Sequence, residues 1–178
     1  MKRLFIAIDL PDHIKDEIGM MCCGLPGAKW IEKDQIHLTL RFIGEVDGAT
    51  FRDIISTLTD NIDQAFSMRL KGIGFFPPRK TPRVLWVGIE NNPKLLHLRH
   101  KIENKLTLLG IEPDQRKFSP HVALARLRDT PPQRLGNYTA GNNLFKTEEF
   151  SVDTFHLYSS ILTPKGAFHS IEATYALK

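Results

Sequence analysis

The chain has 178 residues, 42% hydrophobic and 25% charged, which suffices for a sizeable core in one domain, of one or two lobes, but hardly for two independent domains. The formal charge of +4 and a pI near 9.1 lean toward polyanionic partners without requiring them. No stretch is apolar for long enough to span a membrane, and the two cysteines, Cys22 and Cys23, are adjacent, so membrane-spanning and disulfide-stapled classes drop out.

The first eight residues combine a basic start with an apolar run, but Asp9 interrupts it too early for a secretory signal, and the cytoplasm is the expected location. Arg3–Leu10 has the β-branched, apolar character of a central strand. Pro11 and Asp12 open a helix with Ile14, Ile18, Met21 and Cys22 at helical spacing. Strand-like runs follow at Lys29–Ile31 and Ile36–Ile43. Thr50 is the expected N-cap of a second helix, with Phe51, Ile54, Ile55, Leu58 and Ile62 on one face. Met68–Lys71 and Val84–Ile89 read as strands. Asn92 caps a third helix, Pro93 suits its first turn, Leu95 to Leu109 form its stripe and Gly110 ends it. Phe118–Ala125 is a further strand, the Pro-, Gly- and Asn-rich stretch to Asn143 reads as a long loop, and the tail returns to strand composition at Phe150–Tyr158 and Ser170–Leu177.

Two strands carry a histidine at the same point, in IHLTLR at 36–41 and in KFSPHVALAR at 117–126. Strict alternation buries Ile36, Leu38, Leu40 and Phe42 and sets His37, Thr39 and Arg41 on the opposite face. An imidazole, a hydroxyl and a guanidinium there make a proton carrier with two anion donors. In the second strand His121 and Ala123 share a face. Arg126 joins them only if the strand ends or bulges near Ala125. The order strand–helix–histidine strand occurs twice, from Arg3 and again from Arg83, so a pseudo-twofold axis is expected to bring the two histidine strands together.

His-x-Thr-x and a second His-x-(Thr/Ser)-x half a chain apart resemble the two-histidine phosphoesterase superfamily. The wider context, RLFIAIDLP, HLTLRFIGEV, PRVLWVGI, FSPHVALAR and LYSS, resembles in the same order the RNA 2′,3′-cyclic phosphodiesterase family, also called 2′-5′ RNA ligase-like. The resemblance implies one α+β domain over 1–178, bilobal, with two pseudo-symmetric, mostly antiparallel lobes, helices outside and a central cleft between the histidine strands. It implies His37 as proton donor, His121 as proton acceptor, and Thr39 and Arg126 as phosphate-binding residues. Ala123 departs from the pattern, standing where the family usually has Thr or Ser. The implied activity is hydrolysis of a terminal 2′,3′-cyclic phosphate to a 2′-phosphate, with 2′-5′ RNA ligation as a reversible side, on RNA ends such as tRNA fragments. It needs no metal or other cofactor, and the expected state is a monomer.

Two other readings stay open. One is a cyclic phosphodiesterase of a small nucleotide. The other is a non-catalytic RNA-binding module built on the basic segment Pro78–Arg83 with Phe75, Phe76 and Trp86 beside it, although these aromatics suit a core. His97 and His100, three apart on the third helix, lack the further ligands of a zinc site and read as a solvated face. His13, His156 and His169 read as surface or core fillers.

Overall fold

The computed structural model describes residues 1–60 and 63–178; Ile62, expected on the stripe of the second helix, lies outside the described residues. Strand β1 (Lys2–Asp9) leads into α1 (Asp12–Gly19), β2 (Ala28–Trp30), a 3₁₀ turn (Lys33–Gln35), β3 (His37–Val46) and α2 (Gly48–Thr59). Strands β4 (Phe66–Met68), β5 (Leu70–Phe76) and β6 (Val84–Ile89), helix α3 (Pro93–Leu108) and strand β7 (His121–Leu127) follow. The chain closes with α4 (Pro132–Gly141), β8 (Phe150–Val152), β9 (Thr154–Thr163) and β10 (Gly166–Ala176).

Local chemistry accounts for most boundaries. Asn92 Oδ1 accepts from the amides of Lys94 and Leu95, Pro93 fills the first turn, and Leu95, Leu98, Ile102 and Leu106 are buried. Gly110, at φ 82°, turns the chain after α3 as expected. The cap of α2 is Asp47 rather than Thr50: its carboxylate accepts from the Thr50 amide at 2.7 Å, because Gly48 and Ala49 already take helical geometry. Helix α1 stops at Gly19, so the two cysteines lie beyond it.

The stretch expected as a loop contains α4. Pro132 sits in its first turn, Leu135 is buried, and the Tyr138 hydroxyl donates to the Met21 carbonyl. These tertiary anchors outweigh a composition poor in helix formers.

One antiparallel sheet runs β10-β9-β1-β3-β7-β6-β5, with β2 alongside β7, and β4 pairs separately with β8. Its two halves meet at a single register pair, Leu38 with Val122. On one face Leu4, Ile6, Ile8, Leu38, Leu85, Val87, Val122 and Leu124 bury against the apolar stripes of α1, α2 and α3. Among the described residues the other face carries a small buried cluster of Phe5, Ala7 and Tyr158. Both halves repeat strand–helix–antiparallel strand, β1-α1-β3 and β6-α3-β7. No described helix is long and apolar enough to cross a membrane.

Candidate active site

A β-bulge interrupts alternation in β3. Ala7 pairs with Thr39 but Ile6 with Arg41, so Leu40 is an extra residue. Leu40 and Arg41 therefore both turn inward, and Phe42 emerges 57% exposed, its ring 5.8 Å from that of Phe5. This corrects two expectations at once: Phe42 is not on the buried face, and Arg41 does not share a face with His37 and Thr39. Arg41 is 6% exposed and donates from Nε to Glu103 Oε2 at 2.8 Å, with its other nitrogens on the carbonyls of Phe42 and Glu112. It bolts β3 to α3 and is not available to a phosphate.

Strand β7 carries the matching bulge. Trp86 pairs with Ala123 and Leu85 with Ala125, leaving Leu124 as the extra residue, so Leu124 and Ala125 are both fully buried and Arg126 is exposed. That is the condition under which Arg126 returns to the face of His121. Each bulge falls three residues after its histidine, so Arg126 corresponds to Phe42 and not to Arg41.

The junction sets the two histidines together. Because Leu38 and Val122 pair and are both fully buried, their neighbours face the other way. Continuing that register by one residue sets His37 opposite Ala123 and Thr39 opposite His121. The histidines become diagonal neighbours, on the order of 7–8 Å apart at Cα, a gap that a phosphate group can occupy.

Both imidazoles are held alike. Nδ1 of His37 bonds the Gln35 carbonyl at 2.8 Å, and Nδ1 of His121 bonds the Ser119 carbonyl at 2.7 Å. A carbonyl only accepts, so the hydrogen lies on Nδ1 in both rings and each Nε2 is left to take or give a proton. The X-x-His spacing, Gln35 to His37 and Ser119 to His121, produces both contacts.

The surroundings differ. His37 packs beside Phe5, ring centroids 5.0 Å apart, with Tyr158 at 5.9 Å. Burial pushes its pKa down to about 4; the Gln35 hydrogen bond opposes this, His169 adds to it, Asp9 opposes it and Lys15 adds to it. Asp9 in turn binds Lys15 at 2.9 Å. Burial also holds the Tyr158 hydroxyl well above its ordinary range.

His121 sits beside Phe76 (4.9 Å, edge-on) and Trp86 (6.3 Å). These two aromatics, expected in the core, flank the site instead. Trp86 lies over Gly74, where a Cβ would come within 2.4 Å of its ring, so glycine is required there. The alternation of Trp86 between buried Leu85 and Val87 was the signal for its outward side.

His169 is the residue sequence reasoning missed most clearly: its ring meets that of His37 edge-on, centroids 5.3 Å apart. No motif surrounds it, and only the β9–β10 hairpin brings it in. His156, in contrast, bonds Thr174 Oγ1 at 2.9 Å. His97 lies exposed beside Asp63 and His100 beside Asn104, away from the junction. Among the described residues no three His, Cys, Asp or Glu side chains gather as a metal cluster.

Residues 10–162 match the 2'-5' RNA ligase superfamily. The chain is 34% identical over 176 residues to the RNA 2′,3′-cyclic phosphodiesterase of Thermotoga maritima, covering 95% of this chain and 92% of that protein. It is 33% identical over 172 residues to that of Methanocaldococcus jannaschii, covering 95% and 97%. Its structure is similar to TT0787 of Thermus thermophilus, with a TM-score of 0.83, 28% identity and coverage of 98% and 97%. E. coli LigT shares the fold at a TM-score of 0.80 and 24% identity, covering 99% of this chain and 98% of LigT. With two bulged strands each presenting one histidine to the same face, and these matches along nearly its whole length, the chain belongs to the 2′-5′ RNA ligase superfamily.

Proposed function

We propose that the chain is an RNA 2′,3′-cyclic phosphodiesterase that opens a terminal cyclic phosphate to a 2′-phosphate in the cleft between its two half-sheets. The observation that carries this reading is the pair of imidazoles on one face, each with Nδ1–H engaged by the carbonyl two residues earlier. His37 Nε2 gives a proton to the departing ribose 3′-oxygen, and His121 Nε2 takes one from the attacking water. Thr39 and Arg126 bind the phosphate oxygens as charge builds on them in the transition state. Arg41 has no part in it, and 2′-5′ ligation is the same forward step with a ribose 5′-hydroxyl attacking in place of water; its reverse re-forms the cyclic phosphate and releases that hydroxyl.

His37 is neutral in the free protein above about pH 4. As donor it gains its proton together with the substrate, whose anion offsets the burial that keeps the ring neutral. The test is hydrolysis of an oligoribonucleotide with a 2′,3′-cyclic end, in chelator, across pH. Turnover to a 2′-phosphate is expected to persist in chelator. The kcat/KM profile, which reports the free protein, is expected to hold its acid side down to about pH 4. An acid limb centred at the ordinary histidine value of ~6.5, or activity restored only by added divalent metal, would overturn the scheme.

RNA, rather than a small nucleotide, is favoured by one placement. The exposed residues Arg79, Lys80 and Arg83 lie on the β5–β6 turn, which starts at Phe76, the ring against His121. Their replacement by Gln is expected to flatten the salt dependence of RNA binding, by about 0.7 in log–log slope for each phosphate left without its cation. Salt-independent binding with no gain from added upstream nucleotides would point to the small-nucleotide alternative.

A further inference from the structure

The open face is unequal in its hydrogen-bond donors. Thr39 stands two residues beyond His37 and offers a hydroxyl; the matching position beyond His121 is Ala123, which offers none. By the register at the junction, Ala123 lies opposite His37, so the gap falls on the His37 side of the site.

A third imidazole borders that gap. His169 sets its ring at 83° to that of His37, and its edge against Phe5 at 4.8 Å between centroids. Its backbone N–H donates to Gln35 Oε1 at 2.9 Å, while the Gln35 carbonyl engages His37 Nδ1. One glutamine thus ties both rings into a single frame. Arg126 is near enough for its charge, after burial, to help hold the ring of His169 neutral.

The two nitrogens of His169 have different fates. Nδ1 is buried without a hydrogen-bond partner, although the residue as a whole is partly exposed. A hydrogen on Nδ1 would be a buried donor with no acceptor, a costly arrangement, and the doubly protonated ring would require one. The hydrogen therefore belongs on Nε2. His37 and His121 carry theirs on Nδ1, so His169 is the opposite tautomer: a fixed donor, unsuited to shuttling a proton.

We propose that His169 is a phosphate-binding residue of this site, a neutral Nε2–H donor that supplies the hydrogen bond absent at Ala123. The inference rests on the phosphodiesterase reading for the identity of the substrate, while its ligand is a phosphate oxyanion in any case.

Two measurements test it. In the first, His169→Ala is expected to lower kcat on a cyclic-phosphate end by about 10²-fold, the low end for loss of one preorganised donor. His169→Gln, which places an amide N–H near the former Nε2, should recover most of that loss, and Ala123→Thr in the His169→Ala background should recover part of it. The pH profile should keep both of its limbs, since His169 moves no proton, and in His169→Ala its acid side should move up, because His169 is one of the groups that hold the His37 pKa down. A His169→Ala enzyme as fast as wild type overturns the proposal, as does a Gln variant no faster than Ala. In the second, the wild-type protein labelled with 15N-histidine is titrated with inorganic phosphate. The His169 Nε2 resonance should move while Nδ1 stays fixed, and an unmoved Nε2 overturns the proposal whatever the turnover. If the wild type leaves the cyclic end intact, the phosphodiesterase reading fails, and the phosphate titration still decides the role of His169.

Discussion

His37→Ala and His121→Ala are each expected to lower turnover on a 2′,3′-cyclic end by about 10²–10⁴-fold, the usual worth of a positioned proton carrier. Both proteins should fold, because neither imidazole belongs to the main core and each side chain makes its hydrogen bond to one nearby carbonyl. The two losses differ in kind. A cyclic substrate with sulfur in place of the 3′ bridging oxygen expels a thiolate, which leaves without a proton. That substrate should restore His37→Ala toward the wild-type rate and leave His121→Ala slow. Rescue of His121→Ala instead would exchange the two roles, and a folded variant of either kind with wild-type turnover would remove the paired-histidine scheme altogether.

Glu103→Ala should destabilise the fold by roughly 3–5 kcal/mol, since it strands a buried cation. Glu103 accepts from Arg41 Nε at 2.8 Å and from the Asp114 amide at 3.0 Å, and lies 3.3 Å from Arg99 Nη2. Both side chains are sequestered, at 6% exposure for Arg41 and 12% for Glu103, so water cannot replace the missing partner as it does at a surface pair. Equilibrium urea unfolding should show a lower midpoint with an unchanged slope. At temperatures where the variant remains folded, kcat should be that of wild type, because this cluster holds β3 against α3 on the face away from the histidines. A midpoint equal to wild type would mean that the ion pair is not the bolt described, and a selective loss of kcat would return Arg41 to the site.

The chain by itself determined most of the helices and where most strands fall along it, and it singled out the two histidine strands. Those features are local or periodic: caps at Asn92 and Pro93, a Gly110 stop, apolar stripes at helical spacing, and a His-x-Thr that alternates with buried leucines. The repeated strand–helix–histidine-strand order, together with the family that its wider context resembles, was the ground for expecting His37 and His121 to meet. What the tertiary structure alone decided begins where alternation breaks. A bulge is a property of two strands in register, and nothing in HLTLRF or HVALAR announces that Leu40 and Leu124 are extra residues. Those two bulges sent Arg41 inward, sent Phe42 outward and returned Arg126 to the exposed face of β7 that carries His121. Helix α4 was likewise hidden, because its support comes from the distant Met21 carbonyl and a buried Leu135 rather than from propensity. His169 stands 132 residues after His37 in the numbering, with no motif of its own, and only the β9–β10 hairpin closing beside β1 brings the two rings into contact. Periodicity and caps are written in neighbouring residues; register, bulges and contacts across the sheet exist only once the strands have paired.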